Sequence, residues 1–465
     1  MITYANPIAT SGDFADPFVL RFNGRFYLYC TNPDLRCWTS TDLVDWRLVG
    51  PTIAADTFPG LVPFAPEVTY HNGFFYVYTS PAGIGHHLLR STSPAGPFEL
   101  VSDNLGHGID GHVLIDDDGQ WYFFWAGEEG IWGARMTSLT RFDKPQLTGA
   151  WMQGWTEGPF VTKHGGRYHM TLTGNDYLSP NYRVNGAVAD HPLGPYRDDP
   201  LNPLLLRTTG PSVGLGHPSV VLGPDLVSHW MMYHNLVLST DTRSTRPPHP
   251  AESLPHDSEL VWRDLNLDRV VWVDGWLRVL GPSLVAAAPR QPDHEARWDR
   301  KGDVAQWAYT GHLSVEDDVA RLSGYRVSAV WRDAPLNDAF TAEFWLAGNS
   351  ASEYALTGYD GERVAWSLRV DPGPNVVILV DAGGQALVES HLPADYTHDA
   401  LHCWRLACDG QAADLMIDVR RQLLTTLPAG AHHLGVAADD GPLRVGHAAL
   451  TYTTEPAAQA AMPNS

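Results

Sequence analysis

Over the first 290 residues, apolar positions fall in short runs that alternate with polar ones and are interrupted by frequent turns. A period of two, rich in aromatic and β-branched residues, reads as half-buried strand, and Asn-Gly, Asp-Gly or Gly-Gly between two such runs reads as a hairpin. One unit recurs five times, at Phe18–Cys30, Val68–Ser80, His112–Ala126, Phe160–Gly174 and Ser219–His234. The turn glycines Gly24, Gly73, Gly119 and Gly166 stand 49, 46 and 47 residues apart, close to the length of one four-stranded propeller blade.

Weaker alternating segments at Thr39–Val49, Arg90–Leu100 and Ala187–Asp198 supply outer strands. The fifth copy lacks a turn glycine, and the Pro-rich stretch Thr242–Asp257 reads as a loop between blades. The pattern predicts an all-β chain: a five-bladed β-propeller over residues 1–285, followed by a second domain. After Trp272–Trp276 the repeat stops, and Gly281–Ala296 has the Pro and Ala content of an interdomain connection. Residues 295–454 alternate in short runs such as TAEFWLAG and VVILVDAG, which predicts a β-sandwich, and residues 455–465 read as a mobile tail.

Composition narrows the partners. The 465 residues carry 53 acidic against 31 basic side chains, a formal −22, which argues against nucleic acid or an anionic membrane as partner. The 17 Trp, 18 Tyr and 15 Phe suit a neutral, sugar-like substrate as well as packing. The amino terminus shows no basic segment followed by an apolar run, so the expected location is cytoplasmic, or secreted if an export segment was trimmed away. Cys30, Cys37, Cys403 and Cys408 have neither metal-ligand spacing nor the density of a disulfide scaffold, and are expected to be reduced packing residues.

In a propeller the first strand of each blade lines the central axis, so a polar residue just ahead of it faces that axis. The five hairpins are preceded by Asp16 (Ala-Asp-Pro), Glu67 (Ala-Pro-Glu), Asp110 (Ile-Asp-Gly), Glu157 (Thr-Glu-Gly-Pro) and His217 (Gly-His-Pro). Buried carboxylates are unfavourable unless hydrogen-bonded or functional, so a ring of them marks a candidate site. A carboxyl pair flanking a bond is what glycoside hydrolysis uses, and a third negative charge keeps the proton donor protonated near neutrality. An Asp-Pro pair is by itself an ordinary turn; the repeated position is what singles out Asp16. Glu67 has the right blade position, with structural or substrate hydrogen bonding as its expected role. Trp38, Trp125, Trp155 and Tyr177 are candidate sugar platforms, Trp155 first because it stands two residues before Glu157.

These motifs resemble the family 43 glycoside hydrolases over about residues 6 to 285: Phe14-Ala-Asp16-Pro17, Ala65-Pro66-Glu67, Ile109-Asp110-Gly111, Thr156-Glu157-Gly158-Pro159, Gly216-His217, and Arg263 nine residues before Trp272-Val-Asp-Gly. The resemblance implies Asp16 as general base, Glu157 as general acid, and Asp110 as the residue that tunes and orients the acid. It also implies Arg263 near the base or substrate, and His217 beneath the site, where relatives hold a calcium ion through water. No cofactor is required for the chemistry. The implied activity is inverting and exo-acting on arabinose- or xylose-containing oligosaccharides, an α-L-arabinofuranosidase or β-D-xylosidase. An endo-arabinanase, a galactofuranosidase or galactanase, and a non-catalytic sugar-binding propeller stay open, as does the oligomeric state. Two departures bear on the sugar subsite: Phe64 stands where Trp commonly precedes the Ala-Pro pair, and Gly111 where Pro often follows the third acid.

Overall fold

A computed structural model of the chain describes residues 2–10, 13–210, 212–237, 262–300 and 302–453. The expected loop Thr242–Asp257 and the tail 455–465 lie outside the described residues. The chain forms two compact units, the first comprising Met1–Ile115, Gln120–Gly223 and Ser228–Pro289, the second Asp116–Gly119, Pro224–Val227 and Arg290–Ser465.

In the first unit every one of the five sequence hairpins is present as the inner pair of a blade. The first blade runs Phe18–Phe22, Arg25–Tyr29, Cys37–Ser40, Arg47–Gly50, and the second Pro63–His71, Phe74–Pro81, His87–Ser91, Glu99–Leu100. The third runs Ile109–Ile115, Trp121–Gly127, Gly130–Ser138, Arg141–Phe142, with Gln146–Leu147 added to its third strand. The fourth runs Thr156–His164, Arg167–Gly174, Arg183–Ala189, Arg197–Asp198, and the fifth Val213–Leu222, His229–Val237, Trp262–Val273, Trp276–Val279. All are antiparallel in chain order, and the five inner strands contact one another in a closed cycle. Both faces of each sheet pack on neighbouring blades: Leu114 and Phe124 meet Val161 and Met170, while Val19 and Leu28 meet Val221 and Met232. Two-sided burial explains the long apolar and aromatic runs of the second strands, as in Phe74–Pro81 and Trp121–Gly127.

The ring closes through the amino terminus. Thr3–Ala5 pairs with Val285–Ala287, Ala9 bridges Leu265, and the Asn6 side chain bonds both the carbonyl and the amide of Leu267, at 2.8 and 3.0 Å.

Four inner strands begin with a register shift, between Phe64 and Glu67, Ile109 and His112, Glu157 and Phe160, and Gly216 and Ser219. At each sits a residue with positive φ, namely Ala65 (43°), Asp110 (58°), Gly158 (54°) and His217 (48°), and Asp16 (51°) takes the same place ahead of the first strand. For the non-glycine members this conformation costs about 1–2 kcal/mol each. A bulge re-aims side chains, so these positions turn toward the axial end of the ring instead of into a blade face.

The second unit holds two antiparallel sheets of eight and seven strands. Phe344, Trp404, Leu406 and Leu450 of one share a core with Trp331, Leu356, Trp366 and Leu368 of the other. Phe344 meets Trp331 and Trp307 edge-on, at 6.0 and 6.3 Å between ring centres. This is a β-sandwich. A single 3₁₀ turn, Val304–Gln306, is the helical content of the described residues, and no helix among them is long and apolar enough to cross a membrane. All four cysteines are buried thiols.

Candidate active site

The bulge positions bring Asp16, Asp110 and His217 together, with Glu157 one residue before its own bulge glycine. His217 Nδ1 lies 3.3 Å from Asp16 Oδ1 and 3.8 Å from Asp110 Oδ2. The Gly158 amide donates to Asp110 Oδ2 at 3.1 Å, so the third acid holds the backbone directly after the fourth.

The three carboxyls experience different fields. Burial alone would push Asp16 up, but His217 and Arg263, with a 2.6 Å hydrogen bond from Thr31 Oγ1, overcome it and hold this carboxyl at about 2. Glu157 is pushed up to about 7 by burial and by the charge of Asp110, partly opposed by the Tyr182 hydroxyl that donates to its Oε1. Asp110 is likewise raised to about 7 by burial and by Asp16, against the pull of the Gly158 amide and Arg263. Near neutral pH the site therefore contains one firmly ionised carboxylate and a close pair that retains a proton.

Several partners escaped the sequence reading. Tyr182 comes from the third strand of the fourth blade's approach, is fully buried, and stacks at 5.7 Å and 7° on His234. His234 in turn accepts the Asp16 amide at Nδ1 (3.2 Å), and burial together with Arg263 keeps its ring neutral. Gly216 permits this stack, since a Cβ there would come within 2.1 Å of Tyr182. The one signal in the sequence was His234 itself, a polar residue inside the apolar run Trp-Met-Met-Tyr-His. Thr31 also accepts the Ala65 amide at 2.8 Å, tying the base to the second blade.

The remaining candidates fall in different places. Arg263 sits with its guanidinium carbon 5.3 Å over the ring of half-buried Tyr177, and its amide donates to Asp13. Trp155 is 37% exposed and its indole N–H lies 2.5 Å from Glu157 Oε2. Phe64 is half-buried at the start of the second inner strand. Glu67 lines the same axial cavity as Asp16 and Asp110, with Oε1 held 3.1 Å from His112 Nδ1 and 3.2 Å from the Val113 amide. Trp125 and Trp38 are corrected: both are buried, Trp125 against His107 and Phe123 and Trp38 against Phe14, so neither offers a face to a sugar. Gly111 has a steric cause, because a Cβ there would come 2.4 Å from Phe123 and 2.7 Å from His86 Nε2, leaving no room for a proline ring.

Beneath the cluster is an axial cavity whose lining includes Glu67, His217 and Ser219, the last with a buried hydroxyl that has no partner. Among the described residues no three His, Cys, Asp or Glu side chains are placed to hold a metal directly. The orphan hydroxyl, with the carboxyls of Asp16, Glu67 and Asp110 in the same lining, fits a cation only if it keeps a water shell.

A propeller carrying an axial trio of carboxyls, one held ionised and one held protonated, defines the class of acid–base sugar-cleaving scaffolds. The chain belongs to the glycosyl hydrolases family 43, whose family model matches residues 4–277. It is similar to a xylosidase/arabinosidase of Butyrivibrio fibrisolvens, 25% identical over 59% of this chain and 56% of that one. A beta-D-galactofuranosidase of Aspergillus niger is 25% identical over 52% of this chain and 79% of that one. A non-reducing end alpha-L-arabinofuranosidase of Bacteroides ovatus is 28% identical over 48% and 45%. The chain thus spans about half the length of the first and third of these relatives. Among solved structures, a thermostable family-43 glycoside hydrolase is 32% identical, with a TM-score of 0.52 over 62% of this chain and 99% of that one. A family 43 protein of Bacillus licheniformis shares the fold over 97% of this chain and 100% of its own, at 20% identity and a TM-score of 0.52.

Proposed function

We propose that this protein hydrolyses the terminal glycosidic bond of arabinose- or xylose-containing oligosaccharides with inversion, as an α-L-arabinofuranosidase or β-D-xylosidase. The observation that carries the reading is the division of labour among buried carboxyls: Asp16 at about 2 beside Glu157 at about 7. Asp16, ionised at any working pH, takes a proton from the attacking water. Glu157 gives its proton to the leaving oxygen as the bond breaks. Asp110 raises the acid and, through the Gly158 amide, orients it. Arg263 stabilises the ionised base and is placed to bind substrate hydroxyls. The activities named for the Butyrivibrio and Bacteroides relatives support the pentoside and the chain end. A hydrated calcium ion in the axial cavity would be held by Glu67, His217 and Ser219 and would supply positive charge near the carboxyls.

Galactofuranoside hydrolysis is the second reading, favoured by the Aspergillus relative, of which the chain covers the largest share among those three. Rates on aryl α-L-arabinofuranoside, β-D-xyloside, β-D-galactofuranoside and β-D-galactopyranoside decide between them. Turnover of a pentoside supports the first reading, and silence across the panel overturns both. Asp16→Ala and Glu157→Ala should each lower the rate by about 10² to 10⁴.

A further inference from the structure

Both oxygens of Glu157 accept a hydrogen bond, from donors of unequal mobility. The Tyr182 hydroxyl on Oε1 belongs to a fully buried side chain stacked on His234. The indole N–H on Oε2 belongs to Trp155, which keeps 37% of its surface open. Trp155 stands immediately ahead of the strand Thr156–His164, two residues before Glu157, and its indole reaches that carboxyl directly. The backbone below the indole is fixed: the Met152 amide donates to Thr156 Oγ1 at 2.8 Å and the Asn175 amide to the Trp155 carbonyl at 3.3 Å. The Asn175 side chain spans the Gln153 carbonyl and Arg183 Nη1, at 2.9 and 2.5 Å. Only the indole is therefore free to turn.

A carboxylate oxygen accepts an N–H well, and the hydroxyl oxygen of a carboxylic acid accepts it poorly, so the indole and the catalytic proton compete for Oε2. The Tyr182 ring is packed in the core against Oε1, so the oxygen that can reach a leaving group is Oε2.

We propose that Trp155 is a positioning residue for the general acid: its indole N–H pins Oε2 of Glu157 in the free enzyme and releases it when a sugar ring stacks on the indole. Oε2 then carries the acid's proton, drawn from solvent where the carboxyl is ionised, and passes it to the glycosidic oxygen as the C–O bond breaks. The resulting carboxylate is recaptured by the indole, while Asp16 carries the proton from water. This rests on Glu157 being the proton donor.

The test is Trp155→Phe in the full chain, which keeps a flat ring and removes the N–H. kcat and kcat/KM are measured from pH 5 to 9 on xylobiose and on arabinobiose, whose sugar leaving groups need protonation. The profile of kcat/KM reports the free enzyme and that of kcat the complex. In the parent the alkaline limb of kcat/KM should lie below that of kcat. In the variant it should rise by about one pH unit to meet the kcat limb, which stays in place. An unmoved kcat/KM limb, or an equal rise of both limbs, overturns the proposal. Glu157→Ala separates the two levels: hydrolysis within tenfold of the parent overturns the acid assignment and the proposal with it, whereas an inactive Glu157→Ala beside an unmoved Trp155→Phe limb overturns the proposal alone.

Discussion

Glu157→Gln should make the protein slower and more stable, with the gain appearing only above about pH 5. An unfolded Glu titrates near 4.5 and the folded one at about 7. Below 4.5 both states hold the proton and the group contributes no difference. Between the two values the unfolded chain gives up its proton and the folded protein keeps it, so stability falls as pH rises. Above 7 the loss is complete, about 3 kcal/mol at about 1.4 kcal/mol per pH unit. Glutamine removes the titration while satisfying the same neighbours. Its carbonyl accepts from Trp155, which can only donate, and its amide donates to Tyr182, whose hydroxyl can reverse. Calorimetric melting at pH 5 and pH 8 is the assay. The variant's transition should match the parent's at pH 5 and exceed it by about 5 °C at pH 8. An equal gain at both pH values, or a loss at pH 8, would refute the claim that this carboxyl is held protonated by its own burial.

Tyr182→Phe removes the buried donor to Oε1 and should raise the alkaline limbs of both kcat and kcat/KM by about one pH unit, because this bond persists in the complex. Gly111→Pro should destabilise the propeller by about 1–3 kcal/mol in denaturant melts, since Phe123 and His86 occupy the space. In the sandwich, His402 bonds Asp418 Oδ2 at 2.8 Å and the Thr397 carbonyl at 3.0 Å. Although burial opposes protonation, the Asp418 charge and these bonds raise its pKa above 6.5. Its stabilisation is therefore full below pH 6.5 and lost as pH rises through the raised value, and His402→Gln should flatten that slope in pH-dependent melts.

The blades were legible because two-sided burial leaves a continuous apolar run and the tight turns demand particular residues, as at Asn23-Gly24 and Asn72-Gly73. The carboxyls were legible because they interrupt those runs at one recurring place. What could not be read is which way each side chain leaves its bulge. Glu67 stands two residues past its positive-φ neighbour and so points to His112, whereas Asp16, Asp110 and His217 occupy that position themselves. Tyr182, Thr31 and His234 have no motif, since what places them is the meeting of neighbouring blades at the axial end. Trp125 looked like a platform because aromatic content does not reveal which face of a strand is covered, and here both are.

The same geometry explains why three acids can coexist at the centre of a packed ring. In four of the five blades the positive-φ residue is followed by proline, Asp16-Pro17, Ala65-Pro66, Gly158-Pro159 and His217-Pro218, and in the third by Gly111. The backbone device is therefore independent of the side chain it carries: Ala65 has the conformation with no functional group, and Gly158 has it with none at all. The ring carries an aspartate on this device at two blades, a histidine at one, alanine at one and glycine at one, with the acid Glu157 one residue ahead of its glycine. The cost of burying the carboxyls falls on groups brought from elsewhere, such as Thr31 and Arg263 around Asp16, and Tyr182 and Trp155 around Glu157. Those supporting groups decide which carboxyl is ionised, so the division between base and acid is set by residues outside the axial motif.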